Sequence, residues 1–206
     1  MMLRFVEKLL SRFLFCFVFR TRVVGNELVP SRGSLLVVAN HISWFDPALL
    51  SITIPRRLNF LAMAELFRHP FIGRMMSVLG GFPVDRSKPG QTPVRWAIQC
   101  LRGGGCLVIF PEGGVRLGEK SVLGGNPTFR QGAGMIGWRS QAAILPVVIR
   151  GSRKPHHLQN WFRRETLSVT IGNPFCFWVP RAVSPGTARQ QATDQLRKAL
   201  LETTAL

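Results

Sequence analysis

An α/β domain built on a mostly parallel sheet flanked by helices is the fold class this chain predicts, and three observations predict it. Apolar runs of strand length alternate with longer mixed segments. The mixed segments carry helix-start residues, an Asp, Thr or Ser followed by proline. And 206 residues, 46% of them hydrophobic, supply one sizeable core and not two. Residues 23–206 therefore read as a single domain, preceded by a distinct segment at 1–22.

That first segment, "MMLRFVEKLLSRFLFCFVFRTR", returns Phe5, Leu9, Leu10, Phe13, Phe17 and Val18 near helical spacing, among Arg4, Lys8, Arg12, Arg20 and Arg22. Its uninterrupted apolar run, 13–19, is far short of the roughly 20 residues that span a bilayer. No small-residue cleavage site follows, so a signal peptide is not expected. An aromatic-rich, cationic, amphipathic helix lying in the membrane interface is expected instead.

Strands follow in order. "SLLVVAN" (34–40) reads as a buried strand, "RLNFLAM" (57–63) and "GFPVDR" (81–86) as further ones. "CLVIFPEGG" (106–114) and "ILPVVIRG" (144–151) are the clearest, and "LSVTIGNPF" (167–175) closes the series. Between them, Asp46 can cap a helix from Pro47, Thr92 one from Pro93 to Gly103, and Ser184 one from Pro185. There is no repeat, low-complexity tract or long linker.

In such sheets ligands bind beyond the carboxyl ends of the strands. The unusual residues sit there: His41 follows one strand, Arg86 ends another, and Glu112 with Gly113 and Gly114 follows a third. His41 and Asp46 are five residues apart, about 140° around a helix and on opposite faces of a strand. They meet only if residues 41–45 form a loop that turns back. With Asp46 at the helix N-cap, its carboxylate can then hold one imidazole nitrogen and leave the other as a general base.

Lys and Arg number 27 against 10 acidic residues, a net charge of +17, which calls for an anionic partner. A nucleic-acid reading explains the charge but not the apolar N-terminus, and no helix-turn-helix or RNP-like pattern is present. Cys16, Cys100, Cys106 and Cys176 show no C-x-x-C spacing and are expected reduced and mostly buried. The adjacent His156 and His157 diverge and have no third ligand nearby in sequence, so no metal site is expected.

"NHISWFD" (40–46) resembles the N-H-x4-D signature of the glycerolipid acyltransferases, specifically the lysophosphatidic acid acyltransferase group. "GGFPVDR" (80–86), "FPEGG" (110–114) and "ILPVVI" (144–149) resemble that family's second, third and fourth blocks, in its order and at its approximate separations. The similarity runs from about Val24 to Phe175. It implies a glycerol-3-phosphate acyltransferase-like fold. It also implies transfer of an acyl group from acyl-CoA or acyl carrier protein to the free hydroxyl of a lysophospholipid, foremost 1-acyl-sn-glycerol-3-phosphate, giving phosphatidic acid. His41 would be the base, Asp46 its orienting partner, Arg86 the reader of the acceptor phosphate, and Glu112, Gly113 and Gly114 the shapers of the acceptor site. No metal or bound cofactor is implied, and the protein would sit peripherally or monotopically on the cytoplasmic face of an anionic membrane surface. No G-x-S-x-G elbow is present, in keeping with attack that forms no acyl-enzyme. One departure stands out. Where the family's third block continues E-G-T-R, this chain reads Glu112-Gly113-Gly114-Val115-Arg116. Another lysolipid or glycolipid acceptor is the nearest rival reading, and a non-catalytic membrane-binding protein of the same fold the next. Oligomeric state and acyl-chain length are not legible in the sequence.

Overall fold

The computed structural model describes residues 20–85, 92–152, 166–179 and 183–206. Seven strands form one sheet: β1 (Arg20–Val24), β2 (Leu35–Ala39), β3 (Leu58–Met63), β4 (Gly81–Val84), β5 (Cys106–Ile109), β6 (Ala143–Arg150) and β7 (Thr166–Ile171). Their order across the sheet is β1-β7-β6-β2-β5-β3-β4. Every neighbouring pair is parallel except β6 with β7. The carboxyl ends of β2 to β6 therefore share one edge, and β1 and β7 run against them.

Five α-helices are described: α1 (Asp46–Thr53), α2 (Pro70–Val78), α3 (Thr92–Arg102), α4 (Gly132–Ser140) and α5 (Pro185–Thr204). The period-two geometry of a strand distributes the core to both sheet faces. Leu35, Val37 and Ala39 of β2 pack with Leu49, Leu50 and Ile52 of α1. Leu36 and Val38 pack on the other face with Ala97 and Leu101 of α3, Ile136 of α4, and Leu196 and Leu200 of α5. All five β2 residues are fully buried, as a strand covered on both faces must be.

Local chemistry explains the boundaries. The Ser184 hydroxyl accepts the Thr187 N–H at 3.2 Å and caps α5, with Pro185 in its first turn, as expected. Asp46 departs from expectation. It is the first residue of α1, with Phe45 at the cap position and no side-chain cap. Its carboxylate points back along the chain, for reasons given below. Arg20 to Arg22, assigned above to the N-terminal amphipathic segment, are strand and pair in register with β7. The rest of that segment, residues 1–19, lies outside the described residues, as do Arg86 and the His156-His157 pair. Cys106 is buried and Cys100 half-buried, but Cys176 is exposed, against the expectation of mostly buried thiols; all three are free. Among the described residues no helix is long and apolar enough to cross a membrane.

Candidate active site

The loop between β2 and α1 is organised around a buried carboxylate. Asp46 Oδ2 accepts the backbone N–H of Ile42 and of Ser43, each at 2.8 Å, and lies 2.8 Å from His41 Nδ1. Oδ1 accepts the hydroxyl of Ser152, a fully buried residue just past the end of β6. Four groups thus converge on one fully buried carboxylate, and three of them belong to residues 41–43. An ionised carboxylate in that position is compensated by hydrogen bonds, as burial requires. Three of the four donors lie before Asp46 in the chain and none in the first turn of α1, whereas a capping side chain takes amides of the helix it starts. That is why the helix cap is left without a side chain.

Asn40 anchors the loop at its start. Its side-chain nitrogen donates to the Ile149 carbonyl at 2.9 Å and its side-chain oxygen accepts the Ile149 N–H at 2.7 Å. The carboxamide thereby continues the β2–β6 ladder one step past the last paired residues, Ala39 and Val147. His41 leaves this anchor with its ring stacked on Phe110, centroids 4.2 Å apart and planes 19° from parallel. With Nδ1 held by Asp46, the other imidazole nitrogen, Nε2, has no hydrogen-bond partner among the described residues. The ring is largely covered, with only part of it open to solvent.

The turn after β5 forms the opposite wall. Glu112 is buried, and both its oxygens are occupied: Oε2 accepts the His41 N–H at 2.8 Å and Oε1 the Val122 N–H at 2.9 Å. Burial raises its pKa above the ordinary 4.5; the two backbone amides and the charges of His41 and Arg116 offset part of that rise. Both carboxylate oxygens are thus engaged by backbone amides, one of them that of His41. The Arg116 N–H closes the wall by donating to the His41 carbonyl at 2.8 Å. Gly113 adopts a positive φ of 74°, and a Cβ there would collide with the Arg130 side chain, which crosses the turn. A Cβ at Gly114 would meet nothing, so the missing threonine of the resembled block has room. Trp44, Val115 and Leu117 expose apolar surface in the segments that carry His41 and Glu112, Trp44 most of all at 61%.

The sequence singled out His41, Asp46, Glu112, Gly113 and Gly114, and the structure brings these together at the carboxyl edge. Arg86, two residues past the end of β4 in sequence, lies outside the described residues. Four participants were missed. Asn40 and Phe110 stood inside the quoted motifs and could have been read from them. Ser152 and Arg130 had no local signal, because their partners lie 106 and 17 residues away in sequence. Among the described residues no group of three His, Cys, Asp or Glu is placed to hold a metal ion.

A family model described as Acyltransferase matches residues 20–150. The chain is 28% identical over 154 residues to the 1-acyl-sn-glycerol-3-phosphate acyltransferase of Bacillus subtilis, covering 74% of this chain and 72% of that one. It is 36% identical over 112 residues to the lyso-ornithine lipid O-acyltransferase of Pseudomonas aeruginosa, covering 53% of this chain and 41% of that one. The crystal structure of the 1-acyl-sn-glycerophosphate acyltransferase of Thermotoga maritima superposes with a TM-score of 0.70 at 23% identity, over 97% of this chain and 78% of the other, a likeness of fold.

Proposed function

We propose, from the premise that this chain belongs to the acyltransferase family, that it acylates the free hydroxyl of 1-acyl-sn-glycerol-3-phosphate to give phosphatidic acid. The single observation that carries the mechanism is the 2.8 Å contact between His41 Nδ1 and a buried Asp46 carboxylate. It fixes the tautomer that leaves Nε2 basic. Nε2 takes the proton of the acceptor hydroxyl as the oxygen attacks the thioester carbonyl of acyl-CoA or an acyl carrier protein. Asp46 stabilises the imidazolium so formed. Collapse of the tetrahedral intermediate expels the thiolate, and His41 returns the proton to it. No acyl-enzyme forms, and no metal or bound cofactor takes part.

The residues around the dyad divide the remaining work. The amides of His41, Ile42 and Ser43 are spent on Glu112 and Asp46, so they cannot serve the oxyanion. The Gly114 and Val115 amides, in the turn tied to His41, are the donors we assign to it. Arg86 reads the acceptor phosphate, in keeping with a net charge of +17. The apolar, cationic segment that precedes β1 holds the protein to the cytoplasmic face of the membrane, peripherally or monotopically, where a lipid acceptor resides. Purified protein supplied with several lysolipids and both donor types, with products identified by mass spectrometry, tests the assignment. Phosphatidic acid is expected; a protein that acylates no lysolipid with either donor refutes it. The second reading, another lysolipid acceptor, is favoured by Gly114 in place of threonine and by the Pseudomonas aeruginosa relative. In the same experiment it predicts that a phosphate-free lysolipid is acylated as fast as the phosphate-bearing one.

A further inference from the structure

A nine-residue helix at the margin of the sheet carries an apolar face that the described residues leave exposed. α2 connects β3 to the edge strand β4. Its inner side is committed: Gly73 is buried against the Phe67 backbone, and Ile72 and Met76 are half-buried. Its outer side presents Phe71, Met75 and Val78 at 75%, 44% and 42% exposure. At about 100° per residue these three fall within an arc of roughly 60°. Single exposed hydrophobics are ordinary, but a contiguous stripe along a helix marks a contact surface.

The charges beside the stripe identify the occupant. Arg74 lies about 40° from Val78 around the helix, and Arg68 precedes the helix in the turn 64–68; both are exposed. Glu65 is the single acid of residues 64–78. An apolar ridge flanked by guanidinium groups matches the boundary between acyl chains and anionic headgroups. The location adds a geometric reason. α2 begins just beyond the carboxyl end of β3, the edge at which His41 stands, and β3 neighbours β5, whose following turn exposes Val115 and Leu117.

We propose that the outer face of α2 docks on the bilayer as a second contact, apart from residues 1–19, and holds the mouth of the site toward the lipid. Two contacts fix an orientation that one leaves free to pivot. This deepens the lipid-acceptor reading and rests on it for its purpose.

The test uses the full chain and vesicles of phosphatidylcholine, alone or mixed with phosphatidylglycerol, with partition measured by co-sedimentation. Replacing Phe71, Met75 and Val78 together by Ser is expected to lower partition into both vesicles by about tenfold, at unchanged melting temperature. Arg68→Gln with Arg74→Gln is expected to weaken binding only to the phosphatidylglycerol vesicles, an effect that high salt removes. Met75→Trp, which adds an interfacial anchor, is expected to tighten binding. Unchanged partition of the triple Ser variant overturns the proposal. So does a triple variant whose melting temperature or solution mass shifts while its partition does not, because residues 1–19 or a second copy would then cover the stripe. Acylation of a short-chain, water-soluble lysophosphatidic acid without vesicles reads the catalytic assignment separately. Its failure in the unaltered protein sinks that assignment and leaves the partition result standing.

Discussion

Residues 40–46, which leave β2 at the middle of the sheet, bury Asn40, Ser43 and Asp46 and give each a hydrogen-bond partner. Residues 64–78, which leave β3 one strand from the margin, do the opposite. They turn Phe71, Met75 and Val78 outward. Both connections serve the same edge. The first sets the position of one imidazole to within hydrogen-bond tolerance, which takes a partner on each buried polar atom. The second, if it docks on a bilayer as proposed, needs only exposed apolar area and charge, so its residues would be interchangeable where those of the first are not.

The contrast can be tested from its sharpest point outward. His41→Ala is expected to lower turnover at least 10²-fold, the usual scale for removing a general base, with a modest fall in melting temperature from the lost stacking on Phe110 and the lost Asp46 contact. Near-normal turnover with every acceptor would mean the loop positions something other than a base. Asp46→Ala should match that loss of turnover and also unfold more readily, by on the order of 3 kcal/mol in denaturant titration. It strands the amides of Ile42 and Ser43 and the hydroxyl of Ser152 in a buried site. Asn40→Ala touches no reacting atom, yet should destabilise by about 2 kcal/mol, since both backbone groups of Ile149 lose their partner.

Glu112→Gln sharpens the comparison by pH. A glutamine side chain can accept one of the two amides that Glu112 holds but not both, so the variant should be less stable by about 1 kcal/mol. Because burial raises the Glu112 pKa in the folded state, the native protein retains a proton there after the unfolded chain has lost it. That contribution to stability is full below 4.5 and is lost as pH rises through the higher folded value. The gap in melting temperature between the native protein and Glu112→Gln should therefore narrow as pH rises from 4.5. At the other extreme, Phe71→Ser should leave folding stability within about 0.5 kcal/mol. A larger loss would show that the α2 face belongs to the core.

How much of this was legible depended on how far along the chain each cause lies. Five parallel strands, the cap of α5, and His41 with Asp46 could be read, because apolar runs and a five-residue spacing are local. Strand β1 was missed: its partner β7 lies some 146 residues away, and its arginines blend with the cationic segment before it. α4 was missed for a packing reason. Gly137, poor in helix propensity, sits where a Cβ would crowd Phe177 and Leu36, so tertiary contact overrides local preference. Asp46 was placed as a cap because Asp before Pro signals one; the demand of the Ile42 and Ser43 amides prevailed.

The bond between Ser152 and Asp46 joins residues 106 positions apart, and this gives the site a birth order. On a ribosome, His41 and Asp46 emerge together, and their loop can begin to close at once. Ser152, and the Ile149 backbone that grips Asn40, follow only when β6 has been made, roughly 5–20 s later at ordinary elongation rates. Until then the nascent chain carries His41 and Asp46 without the frame that locks them. The α2 face, with its apolar ridge, is already outside by that time. The exposed apolar ridge of α2 is thus synthesised before the residues that lock the Asp46 loop in place.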